Sequence, residues 1–307
     1  MLTGRDFLSM DDLTAEEIRA VLERSSDLKR RLRAGESAPI LAGKTLAMIF
    51  EKPSLRTRVT FEVGMRQLGG YAIYLSPQDI QLGTRESTPD VARNLSRWVN
   101  GVMARTFAHR TVQDLAEYST VPVINGLSDR EHPCQILGDL LTIQEHARRL
   151  NGVRVTWVGD GNNVCHSLLL GGAKVGMHLA VATPPGYEPA NEIISRARSL
   201  AAKSEGSISV GHDPNEAVRG VDIIYTDVWV SMGQEATRAQ RLKAFAGFQV
   251  DSALLRAAGP QAKVMHCLPA HRGEEITDEV LDGPRSIVLD QAENRLHAQK
   301  GLLAMIL

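Results

Sequence analysis

The chain is poor in cysteine, with three among 307 residues, at Cys134, Cys165 and Cys267. An odd number at such wide spacing makes neither a disulfide framework nor a zinc site. It also lacks an excess of either charge: 35 Lys and Arg face 36 Asp and Glu, for a formal net charge of -1. Nothing global therefore draws nucleic acid or an anionic membrane, and an anionic ligand has to be held by a local group of Arg, Lys or backbone N–H donors. No apolar run approaches the ~20 residues that cross a bilayer. The opening residues lack a basic segment followed by an apolar one, so no secretory signal is expected. Low-complexity tracts, charge runs and disordered linkers are missing too. A soluble, reducing, cytoplasmic setting is the expectation.

What is present is an ordinary globular composition, 43% hydrophobic and 23% charged, in a chain long enough for two domains. Strands are expected at 45–50, 71–75, 102–105 and 121–125, then at 153–158, 178–182, 208–210, 223–226, 264–267 and 287–289. Helices are expected from Ser54 to a stop at Gly69-Gly70, from a capping Thr88 with Pro89 in the first turn, and over 133–150, 190–203 and 292–307. Such alternation implies parallel sheets with right-handed crossovers. The fold class is read as α/β: two doubly wound parallel-sheet domains joined by a long bridging helix, with the C-terminal helix returning to the first domain. The boundaries read are 1–132 with 292–307 packing back, 133–150 for the bridge and 151–286 for the second domain.

Open parallel sheets bind ligands beyond the carboxyl ends of their strands. Ser54-Leu55-Arg56-Thr57-Arg58 stands there after the first strand. Two hydroxyls, Arg56 and the free N–H groups of a helix start make a phosphate site. The alternative is a plain Ser cap with solvated arginines. Lys52, Arg56 and Arg58 crowd a helix end where the dipole disfavours cations, a cost that an anion offsets. Arg105 ends the third strand, as a ligand or as a surface residue. In His132-Pro133-Cys134-Gln135, His and Gln can donate to a carbonyl oxygen and accept from an amide, or simply cap the helix.

The second half offers Gly159-x-Gly161-x-x-Val164, a partial dinucleotide fingerprint without its third glycine. A nicotinamide-dependent dehydrogenase stays as a remote alternative, while Asn163 can instead hold a carboxylate. Asp227, followed by Ser231 and Met232 in a small-residue turn, suits an ammonium group or caps a helix. Cys267, in His266-Cys267-Leu268-Pro269, reads as nucleophile, hydrogen-bond partner or packing. His266 alternates to the other face of a strand, so a Cys–His nucleophile pair is not expected. Arg295 starts the last helix, as a ligand or as a surface residue.

Taken together, the elements at 54–58, 105, 132–135 and 295 resemble the aspartate/ornithine carbamoyltransferase family, in order and spacing, across nearly the whole chain. Asp227-x-Trp229-x-Ser231-Met232-Gly233 and His266-Cys267-Leu268-Pro269, with Asn163, resemble its ornithine branch. The resemblance implies transfer of the carbamoyl group of carbamoyl phosphate to the δ-amine of L-ornithine, giving L-citrulline and phosphate, with no metal and no cofactor. It implies carbamoyl phosphate contacts from Ser54, Leu55, Arg56, Thr57, Gln81, Arg105, His132, Pro133, Cys134, Gln135, Cys267, Leu268 and Arg295. Ornithine falls to Asn163, Asp227, Ser231 and Met232, and catalysis to Arg105, His132, Asp227 and Cys267. Leu55 stands where the family often has Thr or Ser, and its side chain is given no ligand role. Also implied are half-sites in different domains, a homotrimer with shared active sites in which Gln81 reaches a neighbouring subunit, and a place in arginine biosynthesis. Rival readings are carbamoyl transfer to putrescine, acetylornithine or aspartate, and a binding module that has kept the fold and lost turnover.

Overall fold

In the computed structural model, which describes residues 2–307, unit 1 runs to Leu141 and resumes at Glu293–Leu307, while unit 2 is Thr142–Ala292. Unit 1 opens with α1 (Ala15–Arg33). A capping box starts it: Thr14 Oγ1 accepts from the Glu17 N–H, and the Glu17 carboxylate accepts from the Thr14 N–H. Then come β1 (Thr45–Phe50), α2 (Leu55–Gln67), β2 (Tyr71–Leu75), the one-turn α3 (Pro77–Ile80), α4 (Thr88–Trp98), β3 (Gly101–Arg105), α5 (His109–Tyr118) and β4 (Val123–Leu127). The sheet is parallel, in the order β2-β1-β3-β4, with Phe50 opposite Arg105. All of β1 after Thr45 is buried, as a central parallel strand covered on both faces requires. Ile49 and Val102 pack with Leu95, Val112 and Leu115 of the covering helices. Each such side chain contributes about 1.5–3 kcal/mol on burial. The Gly4 N–H donates to the Ile306 carbonyl at 3.0 Å, so sequence-distant segments close this unit.

The chain passes from unit 1 to unit 2 within α6 (Pro133–Ala147). Unit 2 contains β5 (Arg154–Val158), α7 (Asn163–Lys174), β6 (His178–Ala182), α8 (Asn191–Ser204), β7 (Ser207–Gly211), α9 (Pro214–Ala217) and β8 (Ile223–Thr226). These are followed by α10 (Arg238–Ala244), α11 (Ser252–Ala257), β9 (Lys263–His266) and α12 (Asp278–Leu281). The sheet is again parallel, ordered β7-β6-β5-β8-β9. Its core joins Val158, Ile224 and Val264 to Trp229, Phe245 and Phe248. The chain returns to unit 1 within α13 (Val288–Ile306). In unit 1, α6 and α13 meet at Gly138, where a Cβ would stand 3.2 Å from the Arg295 backbone, a close approach suited to glycine.

The two parallel-sheet α/β domains match the fold read from the sequence, and the departures are local. Ser87, not Thr88, caps α4, accepting from the Asp90 N–H. Pro122 has no N–H to give a ladder, and β4 begins after it, two residues later than expected. The left-handed Arg148 (φ 61) follows the end of α6 at Ala147, short of the expected 150. β9 ends at His266, leaving Cys267 in the turn beyond it. The expected strand at 287–289 is instead the start of α13: Ser286 makes one bridge to Val264, and the Ile287 carbonyl already accepts the helical Gln291 N–H at 2.9 Å. A short apolar run does not by itself separate strand from helix, and Leu289 lies 76% exposed.

Candidate functional site

In the order β2-β1-β3-β4, connections run outward in opposite senses from β1 and β3, and the crevice of such a sheet opens where the direction switches. Glu51 to Ser54 and Arg105 to Phe107 lie there. Ser54 Oγ accepts the Thr57 N–H at 3.2 Å and starts α2, leaving other first-turn N–H groups for a ligand. Thr57 is buried, and its hydroxyl oxygen accepts from Arg295 Nη2 at 2.8 Å, which ties α13 to the start of α2. Arg105 and Arg295 are both buried. Arg58, by contrast, lies over the Tyr74 ring at 3.8 Å and faces Glu62 at 3.7 Å. Leu55 is 74% exposed, in keeping with a side chain that binds nothing.

His132 is buried just before α6. Desolvation, then the positive charges of Arg295, Arg105 and Arg56, hold its imidazole well below the usual histidine range. At neutral pH it is therefore an uncharged donor among three guanidinium groups. Pro133 opens α6 and Cys134 donates to the Asn125 carbonyl at 3.3 Å; burial pushes that thiol up to about 12, so it stays protonated. Gln135 Nε2 donates to Asp139 Oδ1 at 2.8 Å. Its buried Oε1 has no hydrogen-bond partner among the described residues. Lys52 lies 4.5 Å over the Phe107 ring, and burial, followed by Arg105, lowers its pKa. Gln81 is exposed and left-handed (φ 47) at the end of α3, lining a cavity of about 310 Å³ with Phe50, Glu51, Thr84 and Phe107.

In unit 2 the switch falls between β5 and β8. Asn162 caps α7, its Oδ1 accepting from the Val164 and Cys165 N–H groups at 3.0 and 3.1 Å. Its Nδ2 donates to Asp227 Oδ2 at 2.8 Å, across the switch point. The Cys267 thiol donates to Asp227 Oδ1 at 2.9 Å. The buried carboxylate is thus fixed from both sides. His266 serves neither Cys267 nor Asp227: its Nδ1 accepts from the Leu268 N–H at 2.8 Å and its Nε2 faces Glu275 Oε1 at 3.0 Å. Leu268 is left-handed (φ 56) and, unlike Gln81, Arg148 and Glu205, does not follow a helix. Such backbone outliers concentrate at functional sites.

Asn163 follows the cap as the first residue of α7. Ser231 and Met232 lie on the loop after β8, outside the Asn162–Asp227–Cys267 hydrogen bonds. The Ser231 N–H donates to Gln234 Oε1 at 3.1 Å, Met232 is 48% exposed, and Gly233 turns the chain at φ 94. Asp160 and Arg241 pair at 3.0 Å, and Arg241 also donates to the Trp229 carbonyl at 2.9 Å, anchoring both ends of this loop. Burial raises Asp160 to about 6, against the pull of Arg241. The glycine pair does not bear out the dinucleotide reading. A Cβ at Gly161 would stand 2.2 Å from Pro189 N, so the chain itself occupies the space where a cofactor's phosphates would approach.

Comparison with known proteins places the chain in a family. Residues 5–145 match the family model described as aspartate/ornithine carbamoyltransferase, carbamoyl-P binding domain, and residues 151–306 match the Asp/Orn binding domain of the same family. The chain belongs to the aspartate/ornithine carbamoyltransferase family. It is 58% identical over 304 residues to the ornithine carbamoyltransferase of Carboxydothermus hydrogenoformans, covering 99% of this chain and 98% of that one. The solved ornithine carbamoyltransferase of Pyrococcus furiosus superposes with a TM-score of 0.97 at 56% identity, covering 99% and 97% of the two chains. That of Giardia lamblia, at 35% identity over 98% and 97%, gives 0.89.

Within this carbamoyltransferase the residues that sequence reasoning passed over are supports. Asn162, next to the Asn163 singled out from the sequence, is the cap of α7 and the donor to Asp227, 65 positions away. Asp139 stands four residues after Gln135 in an apolar helix, a spacing that makes the pair neighbours. Asp160 and Arg241 carried no local signal, being far apart in sequence.

Proposed function

We propose that this carbamoyltransferase transfers the carbamoyl group of carbamoyl phosphate to the δ-amine of L-ornithine, releasing L-citrulline and phosphate. The observation that carries the reading is the burial of His132, Arg105 and Arg295 together, with Arg295 donating to Thr57 at the start of α2. That group suits an acyl donor whose leaving group is an anion. Guanidinium groups and the α2 N-terminus would hold phosphate through charge-assisted hydrogen bonds. His132 and Arg105 would donate to the carbamoyl oxygen as it gains charge. The bare Oε1 of Gln135 would accept from the carbamoyl NH2. These roles make residues 1–132 with 292–307 the carbamoyl phosphate side and 151–286 the ornithine side, with 133–150 as the bridge.

On the ornithine side, Asp227 takes an ammonium group together with Ser231, and Asn163 and the Met232 backbone take the α-carboxylate. Cys267 is a positioning thiol, because its proton is directed at Asp227. The neutral δ-amine attacks the carbamoyl carbon, a tetrahedral intermediate forms, the C–O bond to phosphate breaks, and the amine proton leaves with phosphate or solvent. The test is citrulline formation from carbamoyl phosphate with ornithine, putrescine, acetylornithine or aspartate offered in turn. A kcat/KM for another amine equal to or above that for ornithine overturns the reading.

The same reading includes a homotrimer acting in the cytoplasm, in arginine biosynthesis. Unit 1 exposes Tyr71 and Ile73 on its edge strand and Trp98 at the end of α4, a kind of surface that subunit contacts cover. Gln81 then reaches a neighbour's carbamoyl phosphate. Mixing inactive Gln81 and Arg105 variants restores activity in hybrid trimers if so. No recovery after verified subunit exchange rules out the shared site.

A further inference from the structure

We propose that His271, Glu274 and Glu275 form a binding site for a divalent transition-metal cation, outside the residues assigned to either substrate. One ligand atom from each lies within 4.8 Å of the other two, with His271 Nδ1 and Glu274 Oε2 3.7 Å apart. The Glu275 side chain is 0% exposed. Its Oε1 is satisfied twice, by His266 Nε2 at 3.0 Å and by the His271 N–H at 2.6 Å. His266 Nδ1 accepts from the Leu268 N–H, so the ring proton sits on Nε2 and is donated to Glu275. Glu275 Oε2, Glu274 Oε2 and His271 Nδ1 are all buried, and none has a hydrogen-bond partner among the described residues.

Leaving one bare carboxylate oxygen in the interior is costly, and here a second one and an imidazole nitrogen accompany it. A cation answers all three at once. Glu274 pairs through Oε1 with Arg238, which leaves Oε2 for the site. Two carboxylates face one guanidinium, so negative charge remains to attract a cation. One nitrogen and two oxygen donors suit Zn²⁺, Co²⁺ or Mn²⁺ better than an all-oxygen Ca²⁺ cage. Tetrahedral bonds of 2.0–2.2 Å place ligand atoms roughly 3.4 Å apart. The ligand atoms, already within 4.8 Å of one another, have only to close to that separation, and the His271 and Glu274 side chains are 41% and 23% exposed.

A second group, Asp227, His266 and Cys267, is equally close-set. There both carboxylate oxygens and both ring nitrogens already have hydrogen-bond partners. A cation on Glu275 would be linked through His266 to the Leu268 N–H, and so would stiffen the turn after β9.

The test uses the full chain, treated with chelator and titrated with Zn²⁺ by calorimetry, with Co²⁺ as the spectroscopic probe. Wild type and Cys267→Ser are expected to bind one Zn²⁺ per chain. His271→Ala and Glu274→Gln are expected to bind at least tenfold more weakly, and the Co²⁺ spectrum to lack a thiolate charge-transfer band. Glu275 is left in place because its side chain is wholly enclosed. Absence of binding in wild type, undiminished binding in both His271→Ala and Glu274→Gln, or loss of binding in Cys267→Ser overturns the proposal.

Discussion

Asn162 joins two jobs in one side chain, and substitution separates them. Asn162→Ser retains a capping oxygen for α7, since Ser and Asn are about equal as caps. It deletes the amide that donates to Asp227 Oδ2 at 2.8 Å. A hydrogen bond to a charged group contributes about 1.5–3 kcal/mol, and each 1.4 kcal/mol is a factor of ten. The kcat/KM for ornithine should therefore fall about 10- to 100-fold. With the cap kept, the loss of stability should not exceed that of this one hydrogen bond, about 1.5–3 kcal/mol. Asn162→Ala loses the cap as well and should be less stable by a further 0.5–2 kcal/mol or so. Carbamoyl phosphate affinity, measured by calorimetry, should stay at the wild-type value in Asn162→Ser, because His132 and its guanidinium neighbours are untouched. Steady-state kinetics with each substrate varied separately, beside a melting curve, makes the comparison. A folded Asn162→Ser enzyme with kcat/KM for ornithine within twofold of wild type would refute the positioning argument. Equal losses for both substrates would refute it too.

Arg56→Ala should weaken carbamoyl phosphate binding at least tenfold, the loss of one charge-assisted contact, read directly as a calorimetric dissociation constant. His297, buried in α13, is pushed down to about 4 by desolvation, then Lys300 and Lys29. The unfolded chain takes up a proton near pH 6.5 and the folded one only near 4, so His297 favours folding above 6.5 and this contribution is lost as pH falls between those values. Asp160, raised to about 6, acts in the opposite direction over an overlapping range. Urea midpoints of wild type and His297→Gln should accordingly converge on acidification from pH 6.5 to 4, and a gap that stays constant contradicts the assignment.

The strands β1, β2, β6 and β8 coincide with their apolar runs in the sequence; β1 and β8 do so because a buried parallel strand is apolar on both faces and short. The strand-end rule then led directly to Ser54, Arg105, His132, Asp227 and Cys267. What stayed hidden has two physical sources. Ambiguous local signals hid some of it: Ile287 to Leu289 is apolar enough for a strand yet begins a helix, and the Thr14–Glu17 capping box that opens α1 went unread. Long-range pairing hid the rest. Nothing near Asn162 announces Asp227, nothing near Thr57 announces Arg295, and nothing near Gly161 announces that Pro189 fills its space. The partial glycine fingerprint misled for that reason: the motif reports a tight turn, and only the packing tells what occupies it.

Unit 2 is continuous in sequence, whereas unit 1 is interrupted by it and needs Glu293–Leu307. During synthesis the ribosome therefore delivers all of unit 2 before the residues that bring Arg295 to Thr57 and Ile306 to Gly4. Unit 2 can reach its native state while translation continues, as contiguous domains commonly do. Unit 1 cannot, since its first 141 residues wait as a sheet without its last helix. The phosphate-side cluster is thus among the last parts of the nascent chain to become competent.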